Sequence, residues 1–417
     1  MKTLLRKFGV GIAAISLLSI APVPSIAQNC NVSSLYGWAS QNGGTTGGTG
    51  GSTVLVSTPS QLSAALAKSG KYIIYVQGTL TGYNTYTVTS DKTIYGLPGA
   101  TIQGYLSLVG VSNVILRNLI VRGQKCADYN TCKAGSDAIH IESNSHHIWL
   151  DHMDIADGQD GNCDITHASD FITISWTKFH YTYLKQHAFC NLIGHVDGNT
   201  EDIGKLKVTF HHVWYADHIA QRQPRVRYGK VHVANNLYTS DSSLYLVGPG
   251  DMADVLVEYN VMKFLPAVPI YTAFAPVVNY TAVLSRGNVG IPGANQVHGT
   301  AFVPPYQMPI DSTIDLEASL RSCAGATLPD PRTVTGIEEE ELVADHLLAI
   351  PNPFSNELRV EVPLGCTYLI MDMQGRLVVP ETEGSSILQT SHFPSGIYLA
   401  LLYKDGVRTK TVKLQKM

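Results

Sequence analysis

From Lys71 onward the chain carries short runs of alternating aliphatic and aromatic residues, each broken by Gly, Asn or Asp. They include Tyr72–Val76, Thr93–Tyr95, Thr101–Ile102, Asn113–Asn118, His147–His152, Phe171–Trp176, Lys207–His212, Lys230–Asn236 and Asp254–Asn260. A period of two sends alternate side chains to opposite faces, so each run predicts a strand with one apolar face. Several runs lie about 24 residues apart, the period of a solenoid that makes one coil per repeat. The longer interval between the runs at Ile172 and Val208 predicts a loop insertion. Asn118, Asn236 and Asn260 close their runs and predict a side-chain ladder at a turn. A β-sandwich is the rival all-β architecture. The single repeating motif favours a right-handed parallel β-helix, its hand following the usual handedness of parallel crossovers.

The pattern changes on both sides of the repeats. Residues 1–27 read as a signal peptide: Lys2, Arg6 and Lys7 precede the apolar run Val10–Ile20, and Ser25-Ile26-Ala27 offers small residues for cleavage. The glycine tract through Thr45–Gly51 predicts a tight surface turn, since no Gly-Lys-Ser/Thr follows to cradle phosphate. Ser60–Lys68 predicts a short helix capped by Ser60. Residues from about 265 to 335 lose the repeat, gain proline and are expected to wrap the outside of the coil, closing a first domain over 28–335. Glu338–Glu341 marks a solvated linker within 336–346. Alternation returns in Leu358–Val362 and Ile397–Leu399, with a turn at Gly375-Arg376, and predicts a small β-sandwich over 347–417.

Composition adds two constraints. A net charge of −4 over 417 residues gives no general attraction to nucleic acid or acidic membrane. An acidic substrate would therefore need local cations. Export permits disulfides, and 7 cysteines leave at least one unpaired within the chain. Cys126 with Cys132, and Cys30 with Cys323, are the pairs we expect.

The chemistry concentrates between Ser136 and Arg227. Asp137, Asp160 and Asp164 form an oxygen-only set suited to calcium, although Asp-Gly is also an ordinary turn signal. Asp157 shares the loop. His146, His147 and His152 lack the helical context of a zinc site and read as strand-end hydrogen-bond partners, with Trp149 and Asp151 in packing and turn bonding. Arg222, Arg225 and Arg227 could grip carboxylates or simply be solvated. Strand alternation puts Arg225 and Arg227 on one face and Arg222 on the other, unless Pro224 breaks the strand. Lys185 is placed to join them.

At Ser136-Asp137-Ala138-Ile139, Ile148–His152, Asp160-Gly161 with Asp164, and Arg222-Gln223-Pro224 with Arg227, the sequence resembles polysaccharide lyase family 1, the pectate lyases. The likeness runs over roughly residues 35–327 and extends to the early glycine tract. It implies calcium-dependent β-elimination of polygalacturonate on a right-handed parallel β-helix. Asp137, Asp160 and Asp164 then resemble the Ca2+ ligands, Arg222 the base, and Lys185 and Arg227 the partners of the substrate carboxylates. Gly135 stands where some members carry a further acidic ligand, and the Lys185–Arg222 interval is longer than in some members. The carboxylate set favours the unesterified polymer. Arginine ionises above about 12, so the resemblance also implies an alkaline optimum.

Asn352-Pro353-Phe354, Gly375-Arg376, Gly396-Ile397-Tyr398 and the basic end Arg408–Lys416 resemble the sorting domain of the type IX secretion system. That implies passage through the periplasm to the cell surface or medium, with the type IX machinery as a partner. A monomer is expected. The rival readings are a polygalacturonase-like hydrolase on the same fold and a non-catalytic polysaccharide-binding β-helix. For the tail, the rival is a carbohydrate-binding or spacer domain.

Overall fold

The computed structural model describes Cys30 and residues 34–126, 136–263, 272–275, 279–334, 347–362, 365–384, 386–404 and 406–417. Its larger part is a parallel β-helix. One full coil runs through Ser112–Arg117, Ile120–Arg122 and Ile139–Glu142, and the next through His146–Asp151, Asp154–Ala156 and Cys163–Ile165. Each strand pairs in parallel with its counterpart one coil on. Ile148, Ile172, Val208, Val231, Val255 and Val283 are successive partners on the first face. All six are fully buried. The alternation read from sequence thus becomes a column of aliphatic side chains filling the bore, each coil capping the one before.

The corners of the coil show why polar residues end the runs. Asn118, His152, Trp176, His212, Asn235 and Tyr259 all adopt left-handed backbone with φ between 47° and 55°. This conformation is costly for most residues and is held here by the stacking of identical bends. The asparagine ladder stands one residue further on. Asn260 Oδ1 accepts the Asn236 amide at 2.8 Å, and Asn288 Oδ1 accepts the Asn260 amide at 2.9 Å. Asn236 and Asn260 are therefore members as expected, joined by Asn288. Asn118 instead occupies the bend column and bonds Gly96 and Leu328.

Other details depart from the sequence reading. The helix is Pro59–Leu66, and Thr58 rather than Ser60 caps it, because Pro59 fits the first helical position where no amide donor is needed. The coil continues beyond residue 265 through Ala282–Arg286, which pairs in parallel with Asp254–Glu258. Only later does the chain turn back over the outside, where Phe302 and Tyr306 pack on Trp38. Trp38 and Ala39 donate their amides to Thr209 and Thr173 on the outer face. The glycine tract crosses the first coils so closely that a Cβ on Gly48 would lie 1.9 Å from the Tyr72 carbonyl oxygen. Cys30 and Cys323 are disulfide-bonded across 293 residues of sequence. Cys126 is also disulfide-bonded, and its expected partner Cys132 lies outside the described residues. Residues 1–27 and the linker 336–346 also lie outside them.

The C-terminal segment builds separate antiparallel sheets, one from Leu348–Ile350, Glu357–Glu361 and Ser386–Gln389, the other from Cys366–Asp372, Leu377–Glu383, Gly396–Lys404 and Val407–Lys416. They share a core of their own around Phe354, Leu358, Tyr368, Ile370, Leu402 and Leu414.

Asn260 is fully buried and serves the coils on both sides, bonding Val233 O and Asn288 Oδ1 as well as the Asn236 amide. Replacing it by Ala leaves buried partners unsatisfied, so Asn260→Ala should lower unfolding free energy by about 2–4 kcal/mol in urea titrations.

Candidate active site

The candidate residues lie on the coil face made by Thr101–Val109, Ile139–Glu142, Cys163–Ile165, Leu192–Ile193, Arg225–Val226 and Tyr245–Pro249. Cys163 and Ile165 point into the bore. Asp164 between them therefore points outward. Asp137 sits just before its own strand. The loop 157–162 is tied to that strand by Gln159 N–H donating to Ser136 O (2.9 Å) and Ala138 N–H donating to Gly161 O (3.0 Å). The result is convergence over Gly161: a Cβ there would lie 2.9 Å from Asp164 Oδ1 and 3.0 Å from Asp137 Oδ1. Glycine keeps that space open.

The electrostatics of this pair are unfavourable as they stand. Asp137 Oδ1 is buried with no hydrogen-bond partner. Burial, then the Asp164 and Asp160 carboxylates, push the Asp137 carboxyl well above its ordinary range, with Arg222 opposing. Burial also raises Asp164, against the pull of Arg222 and the Leu192 amide. Asp160 behaves oppositely: the His187 imidazole, 2.7 Å away, holds it low. Among the described residues no three acidic, His or Cys side chains close a metal shell by themselves. Yet an orphaned carboxylate oxygen, a second carboxylate facing it and a floor without a Cβ fit a hard cation. Water, substrate or Asp160 released from His187 would complete its shell.

Arg222 reaches the pair from the other side through a bulge. Gly161, Phe189 and Gln221 bridge in register, as do Leu192 and Arg225 further along. Between Phe189 and Leu192 lie Cys190 and Asn191, whereas between Gln221 and Arg225 lie Arg222, Gln223 and Pro224. The extra residue is taken up by Arg222 at φ 65°. Bulges re-aim a side chain in this way. The Arg222 guanidinium lies 3.8 Å from Asp164 Oδ2 and 4.3 Å from the Phe189 ring centroid. Arg225 and Arg227 flank the inward Val226 and share a face, as alternation predicts. Arg225 bonds the Tyr245 hydroxyl. Arg227 pairs through Nε with Asp197 and bonds the Gly194 carbonyl at 3.1 Å.

Lys185 is buried, with Nζ donating to the Gly158 carbonyl at 2.6 Å and the Gln159 carbonyl at 2.9 Å. Burial pushes this ammonium down to about 8. It holds the loop carrying Asp160. Asp157 is turned to Thr182, whose amide and hydroxyl it accepts. The three histidines singled out in the sequence have other partners: His146 and His147 bond each other, and His152 bonds Asp151, which also pairs with Arg117. Gly135 lies outside the described residues. Sequence reasoning missed His187, Phe189 and Tyr245. The first two sit in the insertion that breaks the repeat, where spacing carries no register.

Comparison with known proteins places the chain in a family. Residues 10–270 match the family model described as pectate lyase, and residues 349–416 match the model of a secretion system C-terminal sorting domain. A probable pectate lyase B of Aspergillus terreus is 35% identical over 315 residues, spanning 73% of this chain and 88% of that protein. A pectate trisaccharide-lyase of Thermotoga maritima is 41% identical over 202 residues, spanning 47% of this chain and 53% of its own. The fold matches that of a thermostable pectate lyase, PL 47, with a TM-score of 0.57 and 25% identity over 70% of this chain and 96% of that one. These relatives make the chain a polysaccharide lyase. This chain belongs to the pectate lyase family, and with its sorting tail it is a secreted or cell-surface protein.

Because Asp137 and Asp164 have folded pKa values above the roughly 3.9 of an unfolded aspartate, ionising them costs stability. The sign follows: stability in a chelator should fall as pH rises from about 4 through the raised folded values. Asp164→Asn keeps the acceptor for Leu192 but removes one charge. In chelator at pH 8 it should unfold at higher urea than wild type, by about 1–3 kcal/mol. Equal or lower stability would mean the two carboxylates do not repel.

Proposed function

We propose that this chain cleaves polygalacturonate by calcium-dependent β-elimination. Asp137, Asp160 and Asp164 are the metal ligands, Arg222 the proton acceptor, and Lys185 and Arg227 partners of the substrate carboxylates. The observation that carries this reading is the unpartnered Asp137 Oδ1 converging with Asp164 on the open floor at Gly161, beside the bulged Arg222.

A bound calcium ion supplies positive charge beside a uronate carboxylate, where negative charge grows as the α proton leaves. The chain's own residues arrange the rest. The Arg222 bulge aims one guanidinium nitrogen toward the ring, and the Phe189 face limits where it can swing. With Arg222 deprotonated to the neutral guanidine, that nitrogen accepts the α proton and becomes guanidinium. The electron pair of the broken C–H bond becomes the new ring double bond, the bond to the glycosidic oxygen in the β position breaks, and that oxygen takes up a proton from solvent water. Arg227 offers its remaining guanidinium N–H groups to a neighbouring carboxylate, a task suited to the arginine fork. Lys185 in its present position steadies the Asp160 loop, and it meets substrate only by exchanging carbonyl partners for a carboxylate. The sorting tail supports delivery by the type IX machinery.

The test is ultraviolet absorbance of unsaturated product from polygalacturonate, with calcium and with chelator, alongside a reducing-end assay. We expect unsaturated product that chelator abolishes. Reducing ends without a double bond would indicate hydrolysis. Arg222→Lys keeps the charge but changes reach and shape. It should lose at least about a hundredfold in turnover, with polymer binding much less affected. Near wild-type turnover would mean that another group takes the proton.

A further inference from the structure

We propose that the Tyr245 hydroxyl is the positioning group for Arg222: it holds the backbone bulge from which the arginine reaches the reacting sugar. The inference rests on the proposed function and deepens it. Arg222 takes the proton, and Tyr245 keeps Arg222 aimed.

Tyr245 opens the strand Tyr245–Pro249, which pairs in parallel with Arg225–Val226. It therefore stands one coil beyond Arg222, level with the bulge. Arg222 carries a side chain in left-handed backbone at φ 65°. Such a conformation persists only where the surroundings over-determine it. Here the backbone groups of the bulge are tied one by one. The Arg222 carbonyl accepts from the Asn191 amide at 2.7 Å, and the Pro224 carbonyl from the Gly248 amide at 2.9 Å. The Gln223 carbonyl accepts from the Tyr238 hydroxyl at 3.1 Å. The amides of Gln223 and Arg225 go to backbone carbonyls, those of Leu246 at 2.9 Å and Asn191 at 3.0 Å. Pro224 has no N–H to place. The Arg222 amide differs from its neighbours, because it donates to a side chain, the Tyr245 hydroxyl.

That hydroxyl is itself fixed. The Arg225 guanidinium also donates to it, so both acceptor positions of the phenol oxygen are taken. The half-buried ring lies against Gly248, where a Cβ would come within 2.9 Å of Tyr245 Cε2 and 3.1 Å of Arg225 Cδ. Arg222 is thus held at two levels. Phe189 and Asp164 bound its guanidinium, and Tyr245 fixes where its stem begins. A stem displaced by about 1 Å can cost up to about a hundredfold in rate.

The experiment is a double-mutant cycle, with kcat and KM read from unsaturated product at saturating calcium. Thermal melts and calorimetric calcium binding accompany each chain. Tyr245→Phe keeps the ring and loses only the hydroxyl. It should lower kcat about five- to twentyfold, with KM and calcium affinity within about twofold of wild type. In an Arg222→Lys background the same substitution should cost less than about twofold, because the group it aims is already gone. A purely structural role would instead act equally in both backgrounds. Unchanged kcat in a folded Tyr245→Phe overturns the proposal, as does an equal loss in both backgrounds; either result leaves Arg222 as the base. Near wild-type turnover in Arg222→Lys alone overturns the assignment of the base, and the positioning role falls with it.

Discussion

Two carboxylates, Asp137 and Asp164, are held together over a glycine with one oxygen left without a partner. Among the described residues one ion pair reaches the two, Arg222 at 3.8 Å from Asp164 Oδ2. Such an arrangement is unstable unless a cation joins it or a proton does. The coil supplies the rigidity that keeps it in place. Asp137 cannot retreat while Ala138 is bonded to Gly161, and Asp164 cannot turn without losing the Leu192 amide.

The same ladder explains how charges of opposite sign share one face. In a parallel solenoid, a residue's neighbours above and below are fixed by register, so each coil can carry its own charge without disturbing the bore. Asp137 and Asp164 sit on consecutive coils, and Arg222, Arg225 and Arg227 on the coil of Arg225–Val226. Glycines at 248 and 250 leave room for the stems of Arg225 and Arg227 to lie on the surface. Arg222 alone escapes register, by a bulge that adds one residue to its coil. The group assigned to proton transfer is thus the one whose position the ladder does not dictate.

Much of this was legible in the sequence. The alternation in runs such as Lys207–His212 and Lys230–Asn236 has one physical meaning, a strand with a buried face, and the recurrence interval gave the coil. The pairing of Arg225 with Arg227 across Val226 also followed from alternation. What escaped was set by contacts distant in sequence. His187 meets Asp160 because an insertion folds back over the loop 157–162. Lys185 turned inward to two carbonyls, which no spacing rule announces. The Asn118 position failed for a smaller reason: a bend and a ladder lie one residue apart, and asparagine suits both.

The most direct test of the central claim is a calorimetric calcium titration of the metal-free chain and of Gly161→Ala. The added methyl group fills the space between the two carboxylate oxygens while leaving every charge in place. The account predicts that wild type binds calcium and that the variant, still folded, binds it at least about tenfold more weakly. Undiminished affinity in Gly161→Ala would show that the cation sits elsewhere.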